Sequence, residues 1–245
     1  MTTRSRGSKP RTTSAQRLAN GHRDVIYPES DGKPMAETDV HRDEMVRLIE
    51  TLKSAFAERP DVYVSGNLFV YSEEGNPRRA VAPDVFVAFG ATKAPPRRTY
   101  KLWEEGVPPT VVIEVTSAST RRVDVGHKSE LYARLGVREY FLYDPLAEYL
   151  RPSLQGFVVA GATFLPMAHG AGGGYISEAL SMSLMLVAGR LRLIDAATGR
   201  PVLSPSEQLA EVEARASSER AARHDLERRV GELETRLAGL EDRRT

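Results

Sequence analysis

Apolar residues recur at helical spacing over residues 38–58, at Val40, Met45, Leu48, Ile49, Leu52 and Phe56, and predict a helix that Pro60 ends. Short β-type runs follow at Val62–Tyr71, Val81–Phe89 and Thr110–Thr116, divided by Glu-Glu-Gly-Asn-Pro and by Pro95-Pro96. A second helix is predicted over Asp124–Leu135, with Val125, Leu131, Tyr132 and Leu135 on one face and Gly136 as its stop. The next apolar run, Glu139–Tyr143, is a strand closed by Asp144-Pro145, and further strands are expected at Phe157–Met167 and Arg190–Ile194. Val111-Val112-Ile113 is apolar on consecutive positions, as expected of a strand covered on both faces. Helix, three strands, helix, strand reads as an α/β (α+β) body around a mixed central sheet.

The two ends differ from this body. Residues 1–24 carry Arg4, Arg6, Lys9, Arg11, Arg17 and Arg23 against Asp24 alone, among Ser, Thr and Gly. Such a stretch cannot bury enough apolar surface to order itself, and it reads as a disordered basic leader. A basic arm following a phosphate backbone is the functional alternative. From Leu209, the positions Val212, Ala216, Glu219, Arg223, Leu226, Val230, Leu233, Leu237 and Leu240 alternate three- and four-residue steps. That is a heptad seam, interrupted at Glu219 and Arg223 and flanked by good helix formers. A partner helix is the natural way to bury it, so a coiled coil that forms a homodimer is expected over 205–245, joined at Pro201 and Pro205 to a body spanning 25–200.

Composition narrows the function. With 245 residues and 41% hydrophobic positions the chain can bury one good core, and its formal net charge of +1 makes any phosphate-binding surface local. There is no cysteine, hence no disulfide, thiolate zinc site or cysteine nucleophile. No apolar run is long enough to span a membrane, and none follows the N-terminal arginines as a secretory signal needs. A reducing, cytoplasmic home is expected. The glycines at 170 and 172–174 lack the Lys-Ser/Thr ending of a phosphate-binding loop and read as a flexible connection. No Gly-x-Ser-x-Gly elbow supports a serine hydrolase.

Two carboxylates interrupt the apolar strands: Asp84, directly after Pro83, and Glu114, within Val-Val-Ile-Glu-Val. An unpaired acid in such a strand is costly to desolvate, so it takes up a proton or finds a cation. If the strands are neighbours the acids converge, and two close anions call for a shared proton or a metal ion. Oxygen-only ligands on rigid strands suit Mg²⁺ or Mn²⁺. Lys128, on the second helix, could project over the carboxylates and stabilise a developing oxyanion. Each has a plainer role when taken alone, the acids as hydrogen-bonded strand ends and Lys128 as a helix-surface partner of Asp124.

The pattern Pro83-Asp84, Val-Ile-Glu114-Val-Thr-Ser, then Asp124-x-Gly126-x-Lys128-x-x-Leu-Tyr132-Ala-Arg-Leu-Gly136-Val-Arg-Glu-Tyr140 resembles the Uma2 family of restriction endonucleases, a group (DUF820) within the PD-(D/E)XK nuclease superfamily. The resemblance extends over Tyr27–Asp195, and the element order matches that superfamily's αβββαβ core. It implies a Mg²⁺-dependent phosphodiesterase acting on DNA, with Asp84 and Glu114 holding the metal. The superfamily's lysine would stand two residues after Glu114, where this chain has Thr116. The resemblance offers Lys128 as its replacement and Glu37, near the start of the first helix, as an acid reaching the metal through water. Glu37 and Asp39 also sit where any helix start favours negative charge, and His41 reads equally well as a surface histidine. Arg78, Arg79, Arg97, Arg98, Lys101, Arg121 and Arg122 would flank the metal edge and hold phosphates. The alternatives are a nuclease-like module that has lost catalysis, which Thr116 favours, and a dimerisation protein whose activity lies in its C-terminal helix.

Overall fold

The computed structural model describes residues 25–30, 38–117, 126, 128–170 and 172–241. Helix α1 (Asp39–Ala55) starts where the Thr38 hydroxyl accepts the His41 N–H and runs to a C-cap at Phe56. Its inward face, Met45, Leu48, Leu52 and Phe56, is buried, as its spacing predicts; Val40 stays exposed. The strands that follow are β1 (Val62–Ser65), β2 (Val70–Tyr71), β3 (Ala80–Val81), β4 (Val85–Phe89) and β5 (Tyr100–Lys101). A one-turn helix α2 (Leu102–Glu105), strand β6 (Val111–Val115), helix α3 (Ser129–Leu135) and strand β7 (Glu139–Tyr143) come next. The chain ends with β8 (Leu154–Ala160), β9 (Thr163–Pro166), β10 (Tyr175–Ser177), β11 (Met182–Val187), β12 (Arg190–Asp195) and the long helix α4 (Pro205–Glu241).

The central sheet has the order β1-β4-β6-β7-β8-β9 and is mixed: β6 and β7 are parallel and every other neighbouring pair is antiparallel. Both its faces are covered. On one face α1 and the small sheet β10-β11-β12 pack Leu48, Leu52, Leu184, Leu191 and Leu193 against Val85, Ile113 and Phe141. On the other, Tyr132 and Val137 from the α3 region and Tyr100 from the small sheet β3-β2-β5 pack against Phe86, Val112, Tyr140 and Leu142. Double coverage is why β6 and β7 are buried at all five positions and read as apolar runs in which Glu114 and Glu139 are the only charges.

Several predicted runs are divided in ways the hydropathy pattern hides. Val62–Tyr71 breaks at Gly66-Asn67, where Asn67 has φ +49° and its N–H donates to the Pro83 carbonyl at 2.8 Å. Val81–Phe89 breaks at Pro83-Asp84, since proline offers no N–H to a ladder. Phe157–Met167 is a hairpin, β8 and β9, turned at Gly161 with φ +66°. The strands β5 and β10, two and three residues long, are too short to stand out in the sequence, and β11, of six, is not among the predicted runs. Part of the predicted Asp124–Leu135 helix lies outside the described residues, as does the predicted leader 1–24.

A buried ionic cluster and a hydrogen-bonded buried carboxylate fix the layers to one another. Arg47 chelates Glu44 and donates to the Leu191 carbonyl at 2.8 Å, and Arg190 reaches the same Glu44 at 2.7 Å, locking β12 onto α1. Glu139 accepts from the Ser177 hydroxyl and, at 3.0 Å, from the Ala179 N–H, locking β10 beneath β7. At the root of α4, the Ser204 N–H and hydroxyl both donate to Glu207, which also meets Arg192. Burial pushes the Glu207 carboxyl up, but these hydrogen bonds and Arg192 outweigh it and pull the pKa from 4.5 to about 2. A depressed carboxyl stabilises the fold above its unfolded value and loses that contribution as pH falls through the folded one. Glu207→Gln should therefore cost ~2 kcal/mol at neutral pH, the shift being discounted for partial exposure. In urea titrations the gap to the wild type should close between pH 4.5 and about 2.

Candidate active site

The β4–β6 ladder pairs Val85 with Ile113, so the next step along it sets Asp84 opposite Glu114. Directly opposed residues of an antiparallel pair lie on the same face. Beyond Val85 the strands part, and the Asp84 carboxylate occupies the opening, accepting the Val115 N–H at 2.8 Å. The two acids thus meet at the end of two adjoining central strands.

Each carboxylate has its own supports. Glu114 is fully buried and accepts from Lys128 Nζ at 2.9 Å through one oxygen and from the Tyr132 hydroxyl at 2.5 Å through the other. Lys128 stands at the N-terminal cap of α3, and Tyr132 lies one turn further on the same face. Asp84, with its side chain 15% exposed, lies 3.3 Å from the buried imidazole of His41. Desolvation pushes the Asp84 carboxyl up, but the His41 hydrogen bond, the Lys128 charge and the neighbouring Glu114 prevail, so its pKa falls below 3.8. Asp84 is accordingly an anion at neutral pH. Burial first, and the adjacent Glu114 charge second, push the Tyr132 phenol well above its ordinary value, which keeps it a hydrogen-bond donor.

The structure brings together Asp84, Glu114 and Lys128 from three separate elements. His41 joins them; helical spacing alone gave it no preference between surface and site, and it is 2% exposed. Tyr132, read from the sequence as a face residue of the second helix and as part of the family motif but given no site role, touches Glu114. Thr116, standing where the superfamily has lysine, is buried, and its Oγ1 has no hydrogen-bond partner among the described residues. Asp39 points into solvent and pairs with Arg42. Glu37, Asp124, Arg121 and Arg122 lie outside the described residues.

The predicted basic rim changes character. Arg97 is no free phosphate ligand: it is bonded twice to Glu105 and lies 4.1 Å above the Tyr63 ring, with its side chain 7% exposed. Lys101 pairs with Glu104 and Arg98 with Glu29. Arg78 and Arg79 remain exposed and share a cleft beside α3 with Arg134 and Glu130.

The donor set suits a hard divalent cation. Asp84 and Glu114 converge, Thr116 two residues beyond Glu114 has a buried hydroxyl without a hydrogen-bond partner among the described residues, and Mg²⁺ typically takes only one or two protein carboxylates, leaving its other positions to water and substrate phosphate. No group of three or more His, Asp or Glu side chains placed to hold a metal occurs among the described residues; an ion bound here would have Asp84 and Glu114 as its protein carboxylates.

No helix among the described residues is long and apolar enough to cross a membrane. No curated protein is detectably similar to the chain. Among solved structures, the crystal structure of a "putative nuclease belonging to DUF820" from Anabaena variabilis ATCC 29413 matches with 14% identity and a TM-score of 0.40, over 55% of this chain and 70% of that one. The Uma2 family model, described as "Putative restriction endonuclease", matches residues 15–155, more than half of the 245, and the chain therefore belongs to the Uma2 family.

Proposed function

We propose that the protein is a metal-dependent endonuclease that hydrolyses phosphodiester bonds of DNA in the cytoplasm, with Asp84 and Glu114 holding Mg²⁺, or Mn²⁺ in its place, and Lys128 assisting. The observation that carries this reading is the meeting of Asp84 and Glu114 at the parted ends of β4 and β6, with Lys128 Nζ 2.9 Å from Glu114. A divalent ion bound there supplies polarisation of the scissile phosphate and a lowered pKa for the attacking water. The chain's own groups do the rest. Lys128 pairs with Glu114 and offers its ammonium to the charge that develops on the phosphate oxygens. Tyr132 fixes the orientation of Glu114, and His41 with the Val115 N–H fixes that of Asp84. Arg78 and Arg79, which share a cleft with Arg134 of α3, would take flanking phosphates, Arg79 and Arg134 exchanging their exposed partners Glu73 and Glu130, which makes binding weaken with salt.

The test is cleavage of supercoiled plasmid, expected with Mg²⁺ or Mn²⁺ and lost on chelation. A protein that cuts neither duplex nor single-stranded DNA with any divalent metal contradicts the reading. Lys128→Met isolates the lysine: it removes the cation beside the buried Glu114, keeps the Tyr132 hydroxyl bonded to it, and should lower the cleavage rate about a hundredfold.

The second reading is a nuclease-like DNA-binding or assembly module without catalysis. Thr116 favours it, because the lysine must then come from a different element than the acid it serves. A module of that kind would bind DNA without cutting it and show no metal-dependent heat that Asp84→Asn removes.

A further inference from the structure

Helix α4 is tied to the body at its first turn, where Ser204 caps it, Glu207 meets Arg192 and Gln208 Nε2 donates to Ser54 Oγ at 2.8 Å. Beyond that turn its apolar side chains face solvent: Leu209, Val212, Leu226, Val230 and Leu233 are between 52% and 64% exposed. In heptad terms Leu209, Ala216, Arg223, Val230 and Leu237 occupy a, and Val212, Glu219, Leu226, Leu233 and Leu240 occupy d.

The positions flanking this seam sort by charge. The g side carries Arg215, Arg229 and Arg236, and the e side carries Glu213, Glu227, Glu234 and Glu241, with Arg220 the exception. In a parallel, in-register pair each g residue lies beside the partner's e residue five positions on, which sets Arg229 against Glu234 and Arg236 against Glu241. The one repulsive pairing is Arg215 with Arg220. In the fully overlapped antiparallel pair g meets g and e meets e, which sets Arg215 against Arg236 and Glu213 against Glu234, with Arg220 against Glu227 the one attractive pairing. The two charged seam positions select as well. Parallel and in register, Glu219 of one helix and Arg223 of the other fall in successive layers and can pair. In a fully overlapped antiparallel pair Glu219 would meet Val230 and Arg223 would meet Leu226.

We propose that α4 docks on α4 of a second copy of this chain, parallel and in register, with the Glu219–Arg223 layer fixing the register. Because each body is attached at the N-terminal end of its helix, both bodies lie at the same end of the pair. On the nuclease reading above, two Asp84–Glu114 sites then stand side by side, one for each strand of a duplex.

The absence of cysteine makes the test clean, since a single introduced thiol can bridge only to its own copy. Leu233→Cys, at a d position away from the body, should oxidise to a species of twice the 27.0 kDa chain mass, whereas the wild type should not. Arg229→Glu should shift the unlinked protein toward monomer in sedimentation, and adding Glu234→Arg should restore the dimer. The proposal is overturned if Leu233→Cys stays at the chain mass. It is equally overturned if Leu233→Cys links only when mixed with Ala216→Cys, its neighbour in the antiparallel pair, since identical positions would then lie roughly 25 Å apart. Mass reports the pairing whether or not the protein cuts DNA, so failure here and failure of the nuclease reading are separate results.

Discussion

Glu114→Gln protein is expected to fold as the wild type does and to lose at least about a hundredfold of its DNA-cleaving rate. Glutamine keeps the shape of the side chain and still accepts the Tyr132 hydroxyl, so the packing of β6 against α3 survives. What disappears is the charge. Lys128, with its side chain 16% exposed, loses its anion 2.9 Å away and is left to Asp84, whose carboxyl it already influences. The opening between β4 and β6 then holds one formal negative charge against an adjacent ammonium, a poor environment for a divalent cation. Plasmid cleavage read beside a thermal melt separates the two effects. Wild-type cutting by a folded Glu114→Gln protein would falsify the role given to this residue.

The second large effect concerns a residue that carries no chemistry. A methyl group at Gly66 would lie 1.9 Å from the Asp84 carbonyl oxygen, 2.9 Å from its carbonyl carbon and 2.7 Å from Ile49 Cδ1. Ile49 Cδ1 can swing aside, but the two Asp84 atoms are backbone, beside the hydrogen bond from the Asn67 N–H to the Pro83 carbonyl, and cannot. Gly66→Ala should cost about 3 kcal/mol, the upper end of ordinary overpacking, and lower the melting temperature by roughly 10 °C. It should also draw Asp84 away from the Val115 N–H and weaken metal binding and cleavage together. Gly231→Ala is the contrast: it lies in α4 with nothing near its added methyl and should gain about 1 kcal/mol of helix stability. A Gly66→Ala protein as stable and active as the wild type would show that the approach of these two segments does not hold Asp84.

These two residues mark where sequence reasoning succeeds and where it stops. Glu139–Tyr143 and the apolar run around Glu114 are legible because strands buried on both faces leave no polar positions to blur their limits. The acids stand out for the same reason, being charges where the pattern allows none. Lys128 was legible as a helix lysine able to project over the carboxylates and, through the resemblance, as the replacement for the lysine missing at Thr116; its contact with Glu114 at 2.9 Å is what the third dimension adds. His41 illustrates the loss most plainly: helical periodicity gives a face, but not that Asp84 of a strand far along the chain lies opposite it. Gly66 left a faint signal, a Gly-Asn pair inside an apolar run, which marks a turn without saying what passes beside it. The basic loops show the converse failure. Arg97 looks like a phosphate ligand beside Pro95-Pro96, yet Glu105, eight residues on, engages it. Composition cannot tell a solvated arginine from a paired one.

The most direct test of the metal-centred account is calorimetric titration of Mn²⁺ into the full-length protein and into Asp84→Asn. The account predicts saturable binding by the wild type and none at the same concentrations by the variant, with both proteins folded. Equal binding by the two, or no binding by the wild type, would contradict it.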